Sequence, residues 1–128
     1  MTNKEYNGWY NYETWVVNLW MDNDEGSQSY WQEQANEAFS QSTGSQHLTR
    51  EQEACTITEN QLQKHFEEAS QDLLENAGQA RSVWADLLGA ALSEVNWREI
   101  ANHLLDAVDK EDQKAHVRGM AGGEPTIE

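Results

Sequence analysis

The residues of this chain that could do chemistry are, before anything else, its carboxylates. Asp22-x-Asp24, with Glu33 at the twelfth place, follows the outline of a calcium-binding loop. Such a loop takes oxygen ligands at its first, third and fifth positions and turns sharply at a glycine in the sixth. Here the fifth place is Gly26, which has no side-chain oxygen, and the sixth is Ser27. The stretch therefore reads as a solvated acidic turn, and neither a metal nor another cofactor is expected. His47, His65, His103 and His116 are dispersed and form no HxxxH or HExxH pattern. His65 and His103 fall beside apolar helical stripes, as boundary residues do. Cys55 is the single cysteine; it has no evident activating base and reads as a small buried hydrophobe. Neighbouring carboxylates such as Glu67 and Glu68 point apart on a helix, which leaves no general acid–base pair. The chain has no glycine-rich phosphate loop and no GxSxG nucleophile turn. An enzyme is not expected.

What the chain does have is charge. Asp and Glu total 23 against 8 Lys and Arg, a formal net charge of −15 and a pI near 4.4. Between Glu5 and Thr49 there is no Lys or Arg, while Glu5, Glu13, Asp22, Asp24, Glu25, Glu33 and Glu37 are all acidic. A surface of this sign repels phosphate backbones, which argues against direct nucleic-acid binding. It attracts basic surfaces instead, in a manner that weakens with salt. Acidity that serves only solubility would look the same.

These side chains must be carried by helices. Pro125 is the only proline, so nothing before it is denied a helix on that account. Tyr12, Trp15, Val16, Leu19 and Trp20 recur at helical spacing and predict a first helix with its apolar stripe in the core, capped by Asn11 and ended by the turn around Gly26. A second helix over about Gln28 to Ser42 is expected from Trp31, Ala35, Ala38 and Phe39, with Ser27 as its cap. Thr49 with Gln52, and Thr58 with Gln61, both fit capping boxes. Residues 50–77 are therefore one helix, weakened at Thr56-Ile57-Thr58, or two. The stripe Leu62, Phe66, Ala69, Leu73 is helical up to Gly78. A fourth helix spans about Ala80 to Ser93. A fifth starts at Asn96, with Glu99 at its third position, and presents Trp97, Ile100, Ala101, Leu104, Leu105 and Val108. The short turn between the last two predicts an antiparallel hairpin. Ahead of the helices, Tyr6, Trp9 and Tyr10 around Gly8 predict an ordered loop or very short strand. The expectation is an all-α single domain over residues 1–110, a compact bundle of about five helices with a tryptophan-rich core, and a mobile tail over 111–128. One cysteine rules out an internal disulfide and fits a reducing cytoplasm. No apolar run is long enough to cross a bilayer.

On this frame the carboxylates form a pattern. Glu59, Glu67, Glu68, Asp72 and Glu75 face mostly away from Leu62, Phe66 and Leu73, with Lys64 as the lone opposing charge. Glu68–Asp72 and Glu33–Glu37 are like-charge i,i+4 pairs, each costing a few tenths of a kcal/mol. Helices that bear a carboxylate at every turn present a sparser version of the charge comb of duplex DNA, roughly one per 1.7 Å of axis.

Two blocks carry a family resemblance: Tyr6-Asn7-Gly8-Trp9 followed by Asn11-Tyr12-Glu13-Thr14-Trp15, and the run from Asp86-Leu87-Leu88 through Asn96-Trp97-Arg98-Glu99-Ile100-Ala101. Together they resemble a family of small acidic proteins of phages and plasmids, mostly described as domains of unknown function. The resemblance implies a mobile-element setting, in which small acidic proteins often disarm host defence. The expected function is a non-enzymatic inhibitor, of the anti-CRISPR or anti-restriction kind, that imitates DNA on the basic nucleic-acid-binding surface of a CRISPR effector or restriction enzyme. Asp22, Asp24, Glu25, Glu33, Glu37, Glu59, Glu67, Glu68, Asp72 and Glu75 are its expected contacts. The alternative is an assembly module that forms homo-oligomers through exposed aromatics.

Overall fold

The computed structural model describes residues 5–108. They fold as five helices: α1 (Tyr12–Asn23), α2 (Glu25–Gln41), α3 (Arg50–Asn76), α4 (Val83–Ser93) and α5 (Trp97–Asp106). The all-α class expected from the periodicities is the one the chain adopts. The tail expected over 111–128 lies outside the described residues.

Each helix starts on a side chain that accepts from the backbone N–H three residues on: Asn11, Asp24, Thr49, Ser82 and Asn96. Each thereby satisfies a donor that the first turn leaves without an intrahelical partner. The box at Thr49 closes in both directions, at 2.9 and 3.1 Å. The second box is not used. Thr58 is buried in the middle of α3, which runs unbroken through the β-branched stretch. Burial of Ala54, Cys55 and Leu62 on one face outweighs the few tenths of a kcal/mol that such residues cost a helix. Asp24, not Ser27, caps α2, so Gly26 lies inside the first turn of α2 and α1 meets α2 across one residue.

The centre of the bundle is α5, which packs on α3, α2 and α1. It buries Trp97, Ile100, Ala101, Leu104 and Leu105. Against it lie Trp31, Ala35, Ala38 and Phe39 of α2 and Ala54, Cys55 and Leu62 of α3. A relay of rings, Trp31–His65–Phe66–Trp97, crosses three helices with centroids 5.3, 5.1 and 5.4 Å apart.

Two expectations are corrected. The stripe of α1 does not face the core: Tyr12 and Trp20 are 51 % and 70 % exposed, and Trp15, Val16 and Leu19 are only partly covered. The buried positions of α1 are Thr14, Asn18 and Met21, on the opposite side. The reason is a set of hydrogen bonds. Asn11 Nδ2 donates to the Glu94 carbonyl at 2.6 Å, and Asn96 N donates to Thr14 Oγ1 at 2.9 Å. Of the six tryptophans, Trp31 and Trp97 are buried in the core, Trp9 packs partly against it, and Trp20 and Trp84 point out. Likewise α4 and α5 are not a packed hairpin, because α4 rests on α3 and buries none of its residues. A three-residue connection permits a corner as readily as a hairpin. Here Val95 is drawn into the core and Asn96 is tied to α1.

Ahead of α1, Tyr6 and Trp9 exchange backbone hydrogen bonds of 2.9 and 2.8 Å around Asn7 and Gly8. Both central residues have positive φ, 49° and 88°, the signature of a type I′ turn, which Asn-Gly accommodates best. The turn is held down by Trp9 against His103, ring centroids 5.1 Å apart, and by Tyr10 N donating to Glu99 Oε1 at 2.9 Å. Glu99 therefore reaches across to the N-terminal segment rather than back to its own cap.

Candidate partner-binding surface

The antiparallel course of α2 and α3 sets where the acids lie. Near one end Arg50 Nε donates to the Phe39 carbonyl at 2.9 Å; further along, Trp31 meets His65. This register brings the first turn of α2 to the end of the bundle that also holds the distal half of α3. Asp22, Asp24 and Glu25 at the α1–α2 corner thus share an end with Glu67, Glu68, Asp72 and Glu75, and all seven are exposed. Glu33 and Glu37 are also exposed, one turn apart and midway along α2.

The ten expected contacts are not equally free. Glu59 is half-buried and bonded to Arg98 at 2.9 Å, which ties α3 to α5. Asp24 is spent on capping α2, and its hydrogen bonds from Ser27 hold its carboxyl below the ordinary aspartate range. Asp22 accepts from Asn18 at 3.0 Å, and Glu67 from Gln63 at 3.0 Å. Glu68 lies 3.8 Å from Lys64 with both side chains largely in solvent, an arrangement that contributes little. Cations are few. Arg50, Lys64, Arg81 and Arg98 are those among the described residues; Arg98 is paired, and Arg50 lies 4.0 Å over the Phe39 ring.

Grooves on this surface are shallow. One is lined by Asp22, Gln28, Gln32, His103, Leu104, Asp106 and Ala107, a set without a hydroxyl or thiol. Among the described residues no three His, Cys, Asp or Glu side chains are placed to share a metal ion. Cys55 is buried, and burial raises its thiol pKa above the ordinary value, with Arg98 opposing and Glu59 adding to the shift. A thiol so held is a poor nucleophile. None of the described helices is long and apolar enough to cross a membrane.

Sequence reasoning missed the exposed apolar features. They include the outward stripe of α1, Leu73 at the far end of the α3 stripe, and the open face of α4, where Val83, Trp84 and Leu87 stand in solvent. The signal for the first was the polar trio Asn11, Thr14 and Asn18, which recurs at i, i+3 and i+7 and marks the side that is hydrogen-bonded inward.

No curated protein and no solved structure matches the chain. A family model described as a family of unknown function, DUF7249, matches residues 2–111, and the chain belongs to that family.

Proposed function

We propose that the protein is a non-catalytic acidic inhibitor carried by a mobile element, acting in the host cytoplasm on the basic nucleic-acid-binding surface of a defence complex such as a CRISPR effector or a restriction enzyme. The observation that carries this reading is the gathering of exposed carboxylates at one end of the bundle. Between Glu67 and Glu75 four acids fall along about 12 Å of helix, or one per about 4 Å. Duplex DNA shows roughly one charge per 1.7 Å. The acids of the α1–α2 corner add to the same field, and fast association steered by charge is the consequence.

The test is capture from host lysate on the immobilised protein, at low and at raised salt, followed by displacement with duplex DNA. A nucleic-acid-handling protein that is held at low salt and released by either treatment is the expected result. Replacing Glu67, Glu68, Asp72 and Glu75 with lysine should abolish capture; retention by that variant would sink the proposal. The exposed apolar face of α4 favours a second reading, a module that assembles with itself while its acidity keeps it in solution. Self-association that persists at high salt in sedimentation experiments would move the conclusion there.

A further inference from the structure

The orientation of α1 costs stability on both of its sides. Asn18 is buried with Oδ1 unpartnered among the described residues, while Trp20 is 70 % exposed. At 100° per residue the stripe centred on Tyr12, Val16 and Leu19 lies about 180° from the buried line of Thr14 and Met21. The helix therefore buries Thr14 and Asn18 together with Met21 and leaves its aromatic stripe outward. The exposed parts of Tyr12 and Trp20 alone leave on the order of 250 Å² of ring surface in water. Tyr6 extends the patch, its ring 5.1 Å from Tyr12 and 4.7 Å from Trp15. On a domain of this size an apolar patch of a few hundred Å² is often a functional one, and here three aromatic side chains, Tyr6, Tyr12 and Trp20, supply it.

We infer that the outward stripe of α1 is a docking face for a protein partner that presents apolar side chains within a rim of lysine or arginine. Charge complementarity selects that occupant. Glu13 flanks the stripe about two turns before Trp20 on the same line of the helix, and Asp22, Asp24 and Glu25 follow at its C-terminal end. The chain offers no Lys or Arg from Glu5 to Thr49 to oppose them. A second copy of the chain would bring the same acids, and a net charge of −15, against themselves. The stripe adds anchors to the acidic inhibitor proposed above, and rests on that reading for the basic character of the partner: carboxylates steer the encounter, and buried rings hold it.

The experiment uses the full-length chain labelled with ¹⁵N, its indole resonances assigned through single Trp→Phe variants. The probe is an 18-residue amphipathic peptide of leucine and lysine, with a leucine–glutamate peptide as control. The expected result is movement of the Trp20 and Trp15 indoles by the basic peptide only, with affinity falling at least about tenfold in Trp20→Ser. Trp84→Ser should leave it unchanged. Shifts centred on Trp84, or an affinity indifferent to Trp20→Ser, would overturn the inference. So would contacts from Trp20 to residues 109–128, or self-association that Trp20→Ser abolishes, since each names a different occupant. Failure of the inhibitor reading is distinguishable: Trp20-dependent peptide binding with no DNA-displaceable target in lysate leaves the docking face standing alone. Capture that needs the α3 acids but not Trp20 leaves the inhibitor without this face.

Discussion

Asn11 concentrates more of the fold than its size suggests. Its Oδ1 accepts from Thr14 N at 2.9 Å and from Thr14 Oγ1 at 2.6 Å, while Nδ2 reaches the Glu94 carbonyl. One side chain thus caps α1, orients Thr14 toward Asn96, and fastens α1 to the turn before α5. Asn11→Ala removes the cap and leaves a buried hydroxyl and a carbonyl short of partners, so it should cost about 2 kcal/mol or more. Urea unfolding followed by circular dichroism measures it, and a loss under about 0.5 kcal/mol would contradict this account. Thr58 gives the opposite sign. Its hydroxyl is fully buried with no hydrogen-bond partner among the described residues. Thr58→Val keeps the shape and removes an unsatisfied polar group, and should raise stability by about 1 kcal/mol in the same assay.

Among the elements, burial separates helices that hold the bundle from helices that rest on it. Ile100 on α5 is completely covered, whereas Trp84 on α4 is 61 % exposed. Ile100→Ala should cost about 3 kcal/mol, through lost transfer energy and the cavity left behind. Trp84→Ser should change stability by less than about 0.5 kcal/mol, although it removes the larger side chain. Thermal melts of the two variants decide the point; a large loss from Trp84→Ser would mean that α4 is part of the core. The sequence misleads at α1 and α4 for a common reason. Both are apolar around much of their circumference, so periodicity marks a helix without saying which side is inward. At α5, where Trp97, Ile100, Ala101, Leu104 and Leu105 alternate cleanly with Arg98, Glu99, Asn102 and His103, it marks both.

For the whole molecule, charge dominates. With 23 acidic and 8 basic side chains, folding brings carboxylates together faster than it pairs them, as the exposed Glu67, Glu68, Asp72 and Glu75 on the distal half of α3 illustrate. Salt should therefore stabilise the protein on its own, since the Debye length falls from about 10 Å at 0.1 M toward about 3 Å at 1 M and self-repulsion is screened. Tm should rise by several degrees between 0.02 and 0.5 M NaCl in differential scanning calorimetry, and to about the same extent in KCl. A falling Tm would show that ion pairs outweigh repulsion. The same screening should weaken any complex with a basic partner, so stability and binding should respond to salt with opposite signs.

Local chemistry was legible from the residues alone. Caps at Asn11, Thr49 and Asn96 act on the amide three residues away, and apolar repeats of 3.6 residues make helices wherever they occur, because both effects reach no further than a turn. The acidity of the surface was equally plain, being a matter of counting. Which acids are free was not: Glu59 is taken by Arg98, from a helix 39 residues further on. Nor was the facing of α1, which is decided by bonds to Glu94 and Asn96, more than 80 residues away. Only the tertiary structure could turn the tryptophan stripe outward, because a helix with two eligible faces buries the one whose partners the rest of the chain supplies.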